Sequence, residues 1–136
     1  MPSAAKALCD SGPLVALFDS KDTEHDRCRA ALDAFNGRLM TTWPVLTEVF
    51  HFLNAPQQRL LWNFVLAGGV VILDVLSSDL QRLHTLMLKY SDLPMDLADG
   101  SLVVVAERLG VRSVFTLDDH FRVYRPSHAH GFMVAP

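Results

Sequence analysis

Residues 94–118 read PMDLADGSLVVVAERLGVRSVFTLD, and this stretch decides the fold. The pattern predicts a helix over 94–109, because Gly110 is the residue type that commonly ends a helix. The stretch 113–116, with Val114 and Phe115 at its centre, predicts a buried strand directly after it. Asp99 lies near the start of the helix and Asp118 just after the strand. The stretch therefore predicts a helix–strand unit with an acid at one end of each element.

The rest of the chain repeats this alternation of helix and strand. Further strands are predicted at 5–9, 38–41 and 70–73, with an edge strand at 131–134. Helices are predicted after Ser11, which is a candidate N-cap, and over 23–35, 42–54, 56–66 and 77–90. Such alternation implies right-handed crossovers and a parallel sheet. We expect an α/β fold of three layers, with a central, mainly parallel sheet of four to five strands flanked by helices.

Length and composition favour a single domain over residues 1–136. Half of the 136 residues are hydrophobic, which is enough for one core, and no linker or repeat divides the chain. No apolar run is long enough to span a bilayer, and the N-terminus lacks the apolar stretch of a secretory signal. We therefore expect a cytoplasmic protein that does not enter a membrane. Cys9 and Cys28 are too few for a disulfide framework and are expected to be buried.

The charge pattern leaves two readings open. A net charge of −3 argues against a protein that binds nucleic acid through a broad basic face. Arginines and histidines nevertheless concentrate in the last 30 residues, where a basic rim around an acidic centre would suit a polyanion. The other reading is that these arginines are the solvated ends of a helix and a loop.

Four acids are predicted to meet at one edge of the sheet. Asp10 and Asp118 follow strands, and the carboxyl ends of parallel strands are where sites form in such folds. Glu48 and Asp99 lie on helices that can reach the same place. Each acid alone has an ordinary explanation as a turn residue, a helix cap or a dipole partner. Their joint order is what points to chemistry.

A hard divalent cation would offset the electrostatic repulsion within such a cluster. Carboxylates that lie close together suppress one another's ionisation, and Mg²⁺ or Mn²⁺ prefers oxygen ligands. We assign Asp10, Asp99 and Asp118 as metal ligands in a site that cleaves phosphodiesters. Glu48 is expected to hold a metal-bound water or to orient the nucleophile. The histidines share no spacing typical of a zinc site.

Three further residues are candidates for the outer shell of this site. Asp96 lies on the same helix face as Asp99, although capping the helix start explains it equally well. Ser11 and Thr116 could hydrogen-bond the carboxylates and fix their rotamers, or could be ordinary turn residues.

Four motifs in this order resemble those of PIN-domain ribonucleases, and within that group the VapC toxins of bacterial toxin–antitoxin pairs. They are DSGPLVALFD (10–19), WPVLTEVFHFL (43–53), DLPMDLADGSLVVVAERLG (92–110) and VFTLDDHFRVYRP (114–126), with Asp22, His25 and Cys28 after the first. The resemblance covers nearly the whole chain. It departs at Gly100, where relatives often have alanine.

The resemblance implies a central parallel sheet and an active site of Asp10, Glu48, Asp99 and Asp118. It implies Mg²⁺-dependent cleavage of RNA, a homodimer, and inhibition by a cognate antitoxin protein whose tail blocks the acidic pocket. The predicted function is the toxin of a type II toxin–antitoxin system.

Candidate RNA contacts are Arg122 and Arg125, together with the neighbouring Phe121 and Tyr124. The alternative for these aromatic residues is simple packing of the last loop. The tryptophans Trp43 and Trp62 are expected to be core or dimer anchors, because RNA-stacking platforms need exposed rings.

Other functions remain open at this stage. The chain could be a catalytically weak binding module of the same fold, or a housekeeping RNA-processing nuclease. A metal-dependent phosphatase or nucleotide hydrolase could use the same carboxylates. The sequence contains neither a GxxxxGK[ST] loop nor a GxGxxG turn, so neither typical nucleotide-binding motif supports a nucleotide site.

Overall fold

The protein is described by a computed structural model that covers residues 5–136. A sheet of five strands runs through its centre in the order β3-β2-β1-β4-β5, and every neighbouring pair is parallel. The strands are β1 (Ala5–Cys9), β2 (Gly37–Thr42), β3 (Val71–Leu73), β4 (Ser113–Phe115) and β5 (Met133–Ala135). The predicted α/β fold is confirmed, including the short edge strand at the end of the chain.

Within residues 5–136, six α-helices connect the strands and flank the sheet. They are α1 (Ser11–Phe18), α2 (His25–Ala34), α3 (Trp43–Phe52), α4 (Ala55–Leu66), α5 (Leu80–Lys89) and α6 (Leu97–Leu109). Two 3₁₀ turns, Ser77–Asp79 and Asp119–Arg122, precede α5 and follow β4. Gly110 ends α6 with a positive φ of 68°, a conformation that glycine adopts without steric cost.

Helices α1 and α6 begin elsewhere than predicted, in both cases because an aspartate caps them. Asp10, not Ser11, is the N-cap of α1, and its side chain accepts a hydrogen bond from the Ser11 N–H. Helix α6 begins at Leu97 and not at Pro94, because the Asp96 side chain accepts the N–H of Asp99. In each case the carboxylate satisfies an amide that would otherwise lack a partner at the helix start.

Helix α6 is the most deeply buried helix, and it carries Asp99 in its first turn. Its residues 98–106 are all buried, so the helix is enclosed on every side. A Cβ added at Gly100 would lie 2.5 Å from Leu83 Cδ1 of α5. The glycine that departs from the family pattern therefore allows α5 to approach α6 closely.

A chain of buried hydroxyl groups ties the start of α6 to the end of β2. The Ser101 hydroxyl donates to the Ala98 carbonyl at 2.7 Å. The Thr42 hydroxyl lies 2.6 Å from Ser101 Oγ and therefore donates to it, because a serine has one hydroxyl proton. These bonds hold the first turns of α6 against the carboxyl edge of the sheet.

Both cysteines are buried, as predicted. Burial is the main cause that raises the pKa of the Cys9 thiol above its usual range, and repulsion from Asp10 raises it further. Across residues 5–136, no helix is both long and apolar enough to cross a membrane.

Candidate active site

Asp10 is fixed at the carboxyl end of the central strand β1. Its N–H donates to the Phe115 carbonyl at 2.8 Å, which joins the ends of β1 and β4. One carboxylate oxygen accepts the Ser11 N–H at 2.8 Å, and the other accepts the Thr116 hydroxyl at 2.8 Å. The residue is only 5% exposed. Backbone and side chain are thus held in one orientation.

Asp118 is linked to Asp10 through a single hydroxyl group. The Asp118 N–H donates to Thr116 Oγ at 2.9 Å, and the same hydroxyl donates to Asp10. The Asp118 carboxylate also accepts the His120 N–H at 2.9 Å, where it caps the 3₁₀ turn. Thr116 therefore sets the spacing between two acids that lie far apart in sequence.

Asp99 reaches the site from the first turn of α6. Its N–H donates to Asp96 Oδ1 at 2.8 Å, and the Asp96 N–H donates to Asp99 Oδ2 at 3.4 Å. The Tyr124 hydroxyl donates to the same Asp99 oxygen at 3.1 Å. Sequence reasoning missed this partner of Asp99, because nothing in the local pattern around Tyr124 indicates which acid it would meet.

The three aspartates converge on one place. One carboxylate oxygen from each of Asp10, Asp99 and Asp118 lies within 4.8 Å of the other two. Opposite ligands on a Mg²⁺ ion are separated by about 4.2 Å, twice the usual metal–oxygen distance. These oxygens could therefore bind one ion after small side-chain movements.

Glu48 lies at the same pocket but outside this group of three oxygens. It is half-buried on α3, and it accepts a hydrogen bond from the Ser11 hydroxyl at 3.1 Å. The acidic pocket has a volume of about 260 Å³. Asp96 also lines it while capping α6, so the capping explanation offered for Asp96 is confirmed.

The protein environment opposes ionisation of the two buried acids. Burial raises the pKa of Asp10 to about 6, with further repulsion from Asp118 and Glu48, although hydrogen bonds from Thr116 and Ser11 act against it. Burial raises the pKa of Asp99 to about 7, followed by repulsion from Asp96 and Asp10. Burial and the nearby Asp99 carboxylate raise the pKa of the Tyr124 hydroxyl. A cation would reverse this penalty.

The donor set fits a hard divalent cation. All three converging ligands are carboxylate oxygens, which suit Mg²⁺ or Mn²⁺ better than softer metals. The hydrogen bonds found at Asp10 and Asp99 come from hydroxyl and backbone groups, which carry no positive charge.

An arginine-lined pocket of about 230 Å³ adjoins the acidic one, and the acids Glu24, Asp118 and Asp119 line it as well. The two pockets share Leu117 and Asp118. Arg122 lines the second pocket, together with Arg27 of α2, which sequence reasoning did not single out. The chain offers no local signal for Arg27, because only packing brings α2 beside the end of β4.

Arg125 has a different position. Its guanidinium donates to the carbonyls of Arg122 and Tyr124, at 2.7 and 3.1 Å, and so braces the loop that carries them.

The exposure of the aromatic residues excludes one of the two alternatives offered for each pair. Phe121 and Tyr124 are both 0% exposed, so they cannot stack on RNA, and packing of the last loop explains them. Trp43 and Trp62 are 49% and 43% exposed, so neither is a core residue. Their predicted role as dimer anchors stays a prediction.

The segment with Asp22, His25 and Cys28 has a structural role. The His25 ring nitrogen Nδ1 donates to the Ala16 carbonyl at 2.6 Å, and Cys28 is buried. These contacts hold α2 against α1.

Known proteins share both the sequence pattern and this architecture. The family profile described as PIN domain matches residues 7–125, a range that includes all four acids. Ribonuclease VapC26 of Mycobacterium tuberculosis is 26% identical over 134 residues, which cover 95% of this chain and 99% of that protein.

Two solved structures share the fold. One is VapC20 of Mycobacterium tuberculosis, a toxin that cleaves the sarcin–ricin loop; its TM-score is 0.78 at 16% identity, and the match covers 90% of this chain and 98% of that one. The other is VapBC2 of Rickettsia felis, bound to a DNA fragment from their promoter; its TM-score is 0.62 at 10% identity, and the match covers 96% and 97% of the two chains. At these identities the likeness concerns the fold.

Proposed function

Because the chain belongs to the PIN domain family, we propose that it is a metal-dependent endoribonuclease and the toxin of a type II toxin–antitoxin system. The observation that carries the proposal is the convergence of three carboxylate oxygens within 4.8 Å at the carboxyl edge of the sheet. Asp10 and Asp99 are buried, and burial, followed by repulsion from neighbouring carboxylates, raises their pKa values. A divalent cation removes the repulsion that the chain itself leaves in place.

In this proposal Asp10, Asp99 and Asp118 hold Mg²⁺ or Mn²⁺. The bound ion would activate water and stabilise charge on the phosphate and the leaving oxygen. Glu48 lies at the edge of the cluster, where it orients the attacking water and accepts its proton. The water oxygen forms a bond to phosphorus, the bond from phosphorus to the leaving sugar oxygen breaks, and that oxygen takes a proton from solvent.

Hydrogen bonds from the surrounding groups keep the ligands in place. Ser11 orients Glu48, Thr116 joins Asp10 to Asp118, and Tyr124 fixes Asp99. Asp96 serves as the helix cap and adds negative charge at the pocket wall. Such preorganisation matters because a small misplacement of a ligand lowers metal affinity and rate.

The arginine-lined pocket provides a place for RNA phosphate. Arg27 and Arg122 lie next to Asp118, and each pairs with a neighbouring acid: Arg27 with Glu24 at 3.1 Å, and Arg122 with Asp119 at 3.5 Å. A phosphate on one side of the cleaved bond would pair with these arginines in competition with those acids. We retain Arg125 as a third candidate, whose guanidinium binds two backbone carbonyls.

The partners follow from the relatives. VapC26 is named a ribonuclease and VapC20 a toxin, and the Rickettsia structure is of a VapBC complex. For this chain we propose RNA as the substrate, a cognate antitoxin that blocks the acidic pocket, a homodimer, and the cytoplasm as the site of action.

The test is cleavage of total cellular RNA by purified, antitoxin-free protein with Mg²⁺ or Mn²⁺. We expect cleavage that EDTA abolishes and that Asp10→Asn and Asp99→Asn each reduce by at least about 100-fold. The matched control is Asp92→Asn, which removes a charge from an exposed loop residue. Circular dichroism should show all four proteins folded.

Two results would overturn the proposal. Cleavage that persists in EDTA would show that the reaction does not need a metal ion. A folded wild type that is inactive on a broad RNA panel, but binds its antitoxin, would establish the binding module instead.

A further inference from the structure

A second, larger groove opens beside the acidic pocket, between α3 and the start of α6. Its volume is about 790 Å³, and it shares Glu48 and Asp96 with the acidic pocket. Trp43, Phe52 and Leu97 form much of its wall. We propose that this groove binds a nucleobase of the RNA strand next to the cleaved bond, with the base stacked on Trp43. The inference rests on the proposed nuclease function and adds a substrate-binding site to it.

The first support is continuity between the two pockets. The acidic pocket, at about 260 Å³, has room for a phosphodiester group and its ions but little more. A bound strand must continue beyond it along the neighbouring surface. Since Glu48 and Asp96 belong to both walls, the groove is where one side of the strand emerges.

The second support is the charge of the groove. Its charged walls are Glu48 and Asp96, both of which repel phosphate. The arginines lie on the other side of the acidic pocket, beside Asp118. Among residues 5–136, no lysine or arginine lines the groove, whereas the other pocket is lined by Arg27 and Arg122 beside its acids Glu24, Asp118 and Asp119. A strand across the site would therefore place a phosphate on the side that carries cations, and an uncharged base towards Trp43.

The third support is the state of the aromatic residues. Trp43 is 49% and Phe52 is 63% exposed, although burying such side chains is normally favourable. The indole N–H of Trp43 donates to Asp74 Oδ1 at 3.0 Å, which holds the ring in place before a ligand arrives. Every base has a π-face that can stack on such a ring. The exposed Thr47 and His51 add polar groups at the wall, which can meet a base edge.

The competing occupant is a second copy of this chain, since exposed apolar residues also form dimer contacts. The experiment must therefore separate a base from a protein surface. The chain has two tryptophans, and Trp62 does not line the groove, so each can be made the sole reporter. Trp62→Phe leaves Trp43 alone, and Trp43→Phe leaves Trp62 alone.

Each single-tryptophan protein is titrated with an RNA hexamer and with an abasic hexamer of equal charge. Ca²⁺ replaces Mg²⁺ to keep the strand whole, which a gel verifies, and labelled-strand anisotropy measures binding separately from fluorescence. We expect the RNA, but not the abasic strand, to quench Trp43, and neither strand to quench Trp62. Trp43→Ala should weaken RNA binding by about 5- to 150-fold, whereas Trp62→Ala should not.

The outcomes separate the inference from the nuclease proposal. RNA that binds without affecting Trp43, or an abasic strand that quenches it equally, would overturn the base site even if the enzyme cleaves RNA. Quenching without any cleavage in Mg²⁺ would refute the nuclease and leave the base site. A hexamer that does not bind would overturn the inference. So would a dimer in sedimentation that Trp43→Ala dissociates while RNA leaves Trp43 emission unchanged.

Discussion

Asp99 and Glu107 lie a little over two turns apart on α6, yet their surroundings are opposite. Asp99 faces other acids, and burial with this repulsion raises its pKa to about 7. Burial also acts to raise the pKa of Glu107, but hydrogen bonds from Arg82 and Ser127 outweigh it and the pKa is lowered. Arg82 donates two hydrogen bonds to Glu107, at 3.0 and 2.9 Å.

These different surroundings indicate different roles for the two carboxylates. Glu107 has its cation within the chain and joins α6 to α5 and to the loop at Ser127. Asp99 lies among carboxylates whose charge must be balanced from outside. The same helix thus carries an ion pair that stabilises the fold at one end and a ligand that costs stability at the other. Such conflicts are typical of functional sites.

The largest expected effect comes from replacing Asp99, whose hydrogen-bond partners carry no positive charge. Asp99→Asn should lower RNA cleavage by at least about 100-fold, because a metal ligand is lost, and should raise stability in EDTA by about 1 kcal/mol, because repulsion is relieved. Cleavage assays and urea denaturation measure the two effects. A variant that loses both activity and stability would contradict the contrast between the two carboxylates.

Glu107→Gln should give the opposite result. It removes charge-assisted hydrogen bonds from Arg82 and Ser127, so unfolding free energy should fall by about 2 kcal/mol while activity stays within about twofold of wild type. Urea denaturation and the RNA assay measure this at a temperature where both proteins are folded. Loss of activity with full stability would place Glu107 in the site instead.

The contributions of Asp99 and Glu107 to stability should change with pH in opposite directions, and Asp10 should behave like Asp99. Asp10 and Asp99 have folded-state pKa values of about 6 and about 7, against 3.8 for an ordinary aspartate. The folded protein therefore binds more protons between about pH 4 and pH 7, and in EDTA their contribution to stability falls as pH rises through that range. Glu107, with a lowered pKa, contributes stability that is lost as pH falls below its ordinary range.

Thermal unfolding in EDTA from pH 4 to pH 8 checks this prediction. The decline between pH 5 and pH 7 should be shallower in Asp99→Asn than in wild type, and unchanged in Glu107→Gln. Adding Mg²⁺ at pH 8 should raise the melting temperature of wild type but not of Asp99→Asn. Equal curves for all three proteins would mean that folding does not raise the pKa values of the buried acids.

The smallest expected effect is that of Tyr124→Phe. The hydroxyl donates to Asp99 at 3.1 Å and so favours the charged carboxylate. Its loss should raise the pKa of Asp99 further and weaken Mg²⁺ binding by about 3- to 10-fold, the effect of about 1 kcal/mol. A Mg²⁺ titration of cleavage measures the shift, and saturating Mg²⁺ should restore most of the rate. A loss that Mg²⁺ does not restore would point to misfolding of the last loop.

Much of the architecture could be predicted because its signals are local. Gly110 ends a helix by its own conformational freedom, and the apolar run at 113–115 has the length of a buried strand. The capping aspartates were predicted less well. Asp10 caps α1 where Ser11 is predicted to do so, because aspartate and serine are both preferred N-cap residues. Asp96 caps α6, whereas the helix is predicted to begin at Pro94, because proline is common in the first turn of a helix.

The sequence by itself determined the parallel α/β alternation and the order of four acids near the ends of its elements, because periodicity and caps act over a few residues. Which aromatic side chains reach solvent depends on the tertiary structure, which exposes Trp43 and buries Tyr124. It also brought Arg27 beside Arg122 and Tyr124 onto Asp99. Burial and pairing of this kind depend on how remote elements pack, and no local pattern carries that information.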